Sequence, residues 1–164
     1  MIFGMTTFTF VHVLLSLIGI FSGFAVVFGL LTANRLDGWT ALFLASTVLT
    51  SVTGFLFPFH KFLPSHGVGI VSLIVLAIAI FARYGRHFAG AWRRTYAISA
   101  VTALYLNVFV LVVQLFMKVA ALKGLAPTQS EPPFKVTQLV VLTIFIVLGT
   151  FAAIRFRNEQ VRAA

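Results

Sequence analysis

The chain has 164 residues, of which 60% are hydrophobic and 9% charged, and its formal net charge is +9. Soluble domains carry about 25% charged residues, so this composition, with a mean hydropathy of +1.07, excludes a water-soluble fold. The basic residues sit at the ends of apolar runs rather than on one water-facing patch, which reads as membrane anchoring and excludes nucleic acid as a partner. The absence of cysteine excludes structural disulfides, thiolate metal sites and thiol catalysis.

In chain order, hydropathy predicts spans at 8–32, 39–60, 64–84, 95–118 and 136–154. Each is close to the ~20 residues needed to cross ~30 Å of hydrocarbon. They are predicted as helices, because an open strand in lipid leaves its backbone amides unpaired. The first run lacks a basic leading segment and a small-residue cleavage motif, so it is expected to be a retained span rather than a signal peptide. Asn34, Asp37 and Gly38 end the first span, and Pro58 and Pro64 bracket the second turn. Gly85, Arg86, His87 and Gly90 fill the third connection. The fourth, about 119–135, carries Pro127, Pro132 and Pro133 and is the one long loop. The whole of 1–164 is expected to be a single transmembrane helical domain.

Five spans place the termini on opposite sides. With the N-terminus outside, the cytoplasmic segments hold Arg35, Arg83, Arg86, Arg93, Arg94, Arg155, Arg157 and Arg162, and the outside holds Lys61, Lys118, Lys123 and Lys135. The positive-inside bias therefore favours an outer N-terminus and a cytoplasmic C-terminus. Trp39, Tyr84, Trp92 and Tyr96 fall at the inner edges, where an interfacial aromatic belt belongs. The predicted fold is an all-α integral membrane bundle of five transmembrane helices, multi-pass in the inner (cell) membrane and bathed by the lipid bilayer. Short connections make sequential helices antiparallel neighbours. No internal repeat supports an inverted-repeat transporter.

Three of the four histidines map to the outer end. His12 lies one turn into the first span, His60 closes the second and His66 opens the third, whereas His87 sits among arginines on the other side. On the first span His12, Ser16, Gly19 and Gly23 share one small, polar face, and Gly19 with Gly23 forms a pair of the kind that lets membrane helices approach closely. The second span shows a matching stripe of Ser46, Thr50, Thr53, Phe57 and His60, whose plainer use is hydrogen bonding between helices. Asn107 and Gln114 share a face of the fourth span, and Gln138 opens the fifth. Buried amides in lipid need partners, so Gln114 and Gln138 are expected to turn towards the histidines.

Two chemistries suit neutral imidazoles on neighbouring helices. One is a b-type haem with His12 and His66 as axial ligands and His60 and Gln114 beside them. Small residues such as Gly19, Gly67 and Gly69 would make room for it, Phe8, Phe55, Phe59 and Phe62 would wall it, and Lys61 or Lys135 would meet the propionates. The other is a zinc or copper ion held by His12, His60 and His66. Glu131, in the proline-stiffened run Ser130-Glu131-Pro132-Pro133-Phe134, lies on the same side as a lid or a plain connector. Paired carboxylates, Ser-His-Asp sets and phosphate-binding glycine loops are absent.

The reading this supports is a small membrane redox or cofactor-binding protein that exchanges electrons with a quinone or an outer acceptor. The alternatives are a non-enzymatic accessory or scaffold subunit packed on a membrane protein partner or in a homo-oligomer, and a carrier of a small apolar ligand. Length and span count resemble the tryptophan-rich sensory and translocator proteins in outline. The chain has only Trp39 and Trp92 and lacks their Trp-Pro loop pattern, so no residues are carried over from that family.

Overall fold

The computed structural model describes residues 5–58 and 64–157. Those residues form six α-helices and one π-helical turn: α1 Thr7–Leu31, α2 Asp37–Gly54, α3 Pro64–Ile80, the π turn Phe81–Gly85, α4 Trp92–Lys118, α5 Ala120–Leu125 and α6 Pro132–Arg157. No strand occurs among them. Four segments are long and apolar enough to cross a membrane: Thr7–Leu31, Pro64–Gly85, Trp92–Lys118 and Pro132–Phe156.

The start and stop points follow local chemistry. Thr6 caps α1 by accepting from the Thr9 amide at 3.2 Å, which satisfies one of the amides a helix start leaves open. At the other end Ala33 takes a left-handed φ of 56° and the Asn34 amide returns to the Gly29 carbonyl at 2.8 Å. Asp37 opens α2, where a carboxylate complements the helix dipole. Pro64 and Pro132 begin α3 and α6 at the position where a missing N–H costs nothing.

The second predicted span departs from the structure. α2 has 18 residues and ends at Gly54, because the chain turns through Phe55–Pro58 before Pro58 would have broken the helix in any case. Its polar content, with Thr40, Ser46, Thr47, Thr50 and Ser51 all buried, keeps it out of the strongly apolar set. The long fourth connection also contains a helix, α5, that the sequence does not announce.

α4 is the axis of the bundle. It packs on α1, α3 and α6, while α2 packs on α1 and α3. The main core runs through Ile20, Val27, Phe43, Leu76, Ala100 and Leu104. A smaller cluster of Val112, Phe116 and Ala126 secures the far end of α4 under the last connection. Small residues permit the closest approach: a Cβ on Gly23 would lie 2.6 Å from Leu104 Cδ1 and 2.9 Å from Phe43 Cε2. The face His12, Ser16, Gly19 and Gly23 is thus a packing face, as its spacing implies.

Candidate functional site

The ends of α1, α2 and α3 and the middle of α4 enclose a polar pocket. His12 Nδ1 lies 2.8 Å from Thr53 Oγ1 on α2. The Thr53 hydroxyl donates to the Leu49 carbonyl at 2.7 Å, as hydroxyls in helices commonly do. Its oxygen is therefore the acceptor for His12, and the network assigns the Nδ1-protonated tautomer with the lone pair on Nε2. Phe57 stands edge-on to the imidazole with centroids 5.0 Å apart, and Phe8 meets Phe57 edge to face at 4.8 Å.

His66 enters from the first turn of α3 and is buried, with Phe55 at 5.9 Å between ring centroids. Phe55 reaches this position because residue 69 is glycine; a Cβ there would meet Phe55 Cζ at 2.9 Å. His12 and His66 line one cavity of about 100 Å³ together with Ser16, Thr50, Ser72 and Asn107. Below it, Asn107 Nδ2 donates to Thr47 Oγ1 at 3.3 Å. Gly19 leaves that bond its space, since a Cβ would fall 3.1 Å from Thr47 Oγ1.

Size limits what the pocket takes. A water occupies about 30 Å³ of liquid, so the cavity matches one ion with a little water, while pockets for larger ligands run to about 300–1,000 Å³. A flat macrocycle would exceed this cavity, so the walls around His12 and His66 would have to move outward to admit it. Among the described residues no three His, Cys, Asp or Glu side chains gather to hold a metal. His60, the third predicted imidazole, lies outside the described residues, as do Phe59, Lys61 and Phe62.

Gln114 is exposed and does not line the pocket. It keeps the face of Asn107, but pocket lining on α4 ends at Val110, and the following buried residues, Val112 and Phe116, turn under Ala126 and Phe134. Gln138 instead binds α6 to α4, its Nε2 donating to the Phe109 carbonyl at 3.2 Å. Nor does the last connection lie over the pocket. Gln129 Nε2 fixes it to the Val113 carbonyl at 3.1 Å, and the Glu131 carboxylate accepts from the Thr128 hydroxyl at 2.7 Å. That hydroxyl, with the Thr128 and Ser130 amides, holds the carboxyl below the ordinary carboxylate range.

At the opposite end the bundle contains a second polar cluster that the sequence reading missed. Arg83, in the π turn, pairs with Asp37 and stands 5.5 Å over the Phe88 ring. Arg93 is buried and lies 5.0 Å over Phe156. Tyr96 is 1% exposed, so it belongs to this cluster and not to an interfacial belt. The missed signal was Asp37, a carboxylate in a stretch of chain that ends among arginines.

Comparison with protein-family models, with curated proteins and with solved structures finds no match.

Proposed function

We propose that the chain is a small integral membrane cofactor-binding protein whose site is the His12–His66 pocket, and that the cofactor is a single copper or zinc ion held by imidazole nitrogens. The observation that carries this is the convergence of two imidazoles, from α1 and α3, on one polar cavity inside an apolar bundle. Ionisable groups in membranes are costly and usually functional. Imidazole suits both metals. Thr53 orients His12 through its other ring nitrogen, as partners of metal-bound histidines do. The sequence offers His60 as a third ligand. When bound, copper would supply one-electron chemistry and zinc a Lewis acid.

A bis-His b-type haem, passing electrons to a quinone or an outer acceptor, is the second reading. Its support is that the described residues bring together two histidines, the number such ligation needs; its cost is the enlargement of a cavity of about 100 Å³.

The proposal includes topology. α2 runs back along α1, with Thr53 at His12, and its 18 residues extend about 27 Å at 1.5 Å per residue, close to the bilayer core. It therefore makes a fifth crossing, polar towards the bundle. The arginine-rich end faces the cytoplasm and the histidine end faces out, in the inner membrane.

Elemental analysis and an optical spectrum of the detergent-purified protein from metal- and haem-replete cells test this. One copper or zinc per chain is expected, lost in His12→Ala and in His66→Ala and retained in His87→Ala. A Soret band with sharp reduced bands that depends on His12 and His66 would replace the ion with haem. Neither metal nor Soret band would sink both and leave the accessory-subunit reading.

A further inference from the structure

A second cavity, of about 480 Å³, runs between α4 and α6. Its walls are Ile98, Val101, Leu142, Phe145, Ile146 and Ile154, with Arg94 at one end and Tyr105 at the other. The hydroxyl protons of the two threonines within it are taken up inside their own helices: Thr102 Oγ1 donates to the Ile98 carbonyl and Thr150 Oγ1 to the Ile146 carbonyl, both at 2.8 Å. Gly149 leaves the floor open, since a Cβ there would only reach ordinary contact with Val101 Cγ1 at 3.5 Å. Tyr105 closes the far end against Phe145 at 5.6 Å between centroids.

We propose that this groove holds an acyl chain of an anionic phospholipid whose phosphate is met by Arg94. From Arg94 to Tyr105 the helix rises about 16 Å, and one leaflet of a ~30 Å hydrocarbon core is about 15 Å deep. The groove is therefore as long as a leaflet, with its cation at the headgroup end and its aromatic stop near the midplane. The charge is complementary to an anion. No acidic residue lines the groove, and among the described residues the same end carries Arg35, Arg83, Arg86, Arg93 and Arg155 with Asp37 as the opposing carboxylate. A planar guanidinium engages phosphate through paired hydrogen bonds, and anionic lipids are the ones that populate a cytoplasmic leaflet. A second copy of the chain packing at Gly149 is the competing occupant.

The test is native mass spectrometry and thermal melting of the full chain in detergent with phosphatidylglycerol or phosphatidylcholine added. Phosphatidylglycerol is expected to stay bound and raise the melting temperature, and phosphatidylcholine is not. Arg94→Gln, at an exposed position, should weaken phosphatidylglycerol retention about tenfold, and Gly149→Leu should fill the groove and abolish it. Lys123→Gln, which removes an exposed charge at the other end of the bundle, should leave retention unchanged. Equal retention of the two lipids, or full retention in Arg94→Gln, overturns the proposal. So does a dimer that Gly149→Leu disperses, because it assigns the groove to a second copy.

Discussion

At Gly23 the bundle has no spare volume. The methyl of an alanine would sit 2.6 Å from Leu104 Cδ1 and 2.9 Å from the Phe43 ring, and both neighbours are fully buried. Overpacking of this kind costs about 1–3 kcal/mol, so Gly23→Ala should lower the melting temperature in detergent, and adding Leu104→Ala should recover part of the loss. Gly19 is more forgiving, because the atoms nearest its missing Cβ are the hydroxyls of Thr47 and Ser46 and the Asn107 amide. Thr53 makes a sharper demand on the site. If its oxygen fixes the tautomer of His12, Thr53→Val should weaken ion binding about 10–100-fold with little change in melting, and Thr53→Ser should keep it. Binding unchanged in Thr53→Val, measured by competition with a chelator, would remove Thr53 from the site.

The elements show which parts of this arrangement were legible beforehand. Residues that recur at helical spacing name their own face, so His12, Ser16, Gly19 and Gly23 could be read as one side of α1 without knowing what would cover it. Pairings across the chain leave no such trace. Asp37 and Arg83 meet at a separation of 46 residues, and only the fold, which packs the π turn on α4, turns Arg83 from a charge at a span's edge into a buried one. Asp37 stays exposed while Arg83 is 9% exposed, so losing the pair leaves no buried carboxylate behind, and the larger loss is the guanidinium's packing on Phe88 and Tyr84. Arg83→Ala should therefore destabilise by about 1–3 kcal/mol, with Asp37→Asn costing less; equal losses would mean that the ion pair, not the packing, dominates. The turn before α6 behaves differently. Glu131 holds it through Thr128, and because the folded carboxyl titrates below its ordinary value, the contribution is complete above about pH 4.3 and is lost as pH falls through the depressed value. The protection of the 128–131 amides, taken relative to the intrinsic exchange rate at each pH, should fall on acidification in the wild type, and Glu131→Gln should show low protection at every pH.

Across the whole molecule the two ends differ in kind. One end places imidazoles and hydroxyls around a small cavity; the other buries guanidinium groups among aromatic rings, with the α4–α6 groove opening beside them. Hydropathy alone marked the four segments that are long and apolar enough to cross, and arginine and lysine segregate along the sequence, but neither tells whether α2 returns the chain through the membrane. That step decides the topology. If α2 crosses, the 86–91 and 32–36 connections share the cytoplasmic face, and the 119–131 connection lies outside. If it does not, the connection after α2 stays on the side where α1 ended. The chain has no cysteine, so single introduced cysteines report without background. Ser130→Cys, at an exposed position, should react with an impermeant maleimide in intact cells or right-side-out vesicles, and His87→Cys and Asn34→Cys should react only after permeabilisation. The reverse pattern would invert the molecule and place the histidine pocket at the cytoplasmic face. Opposite accessibility at 34 and 87 would deny α2 or α3 its crossing, while leaving the contact between His12 and Thr53 to be explained by a helix that lies within one leaflet.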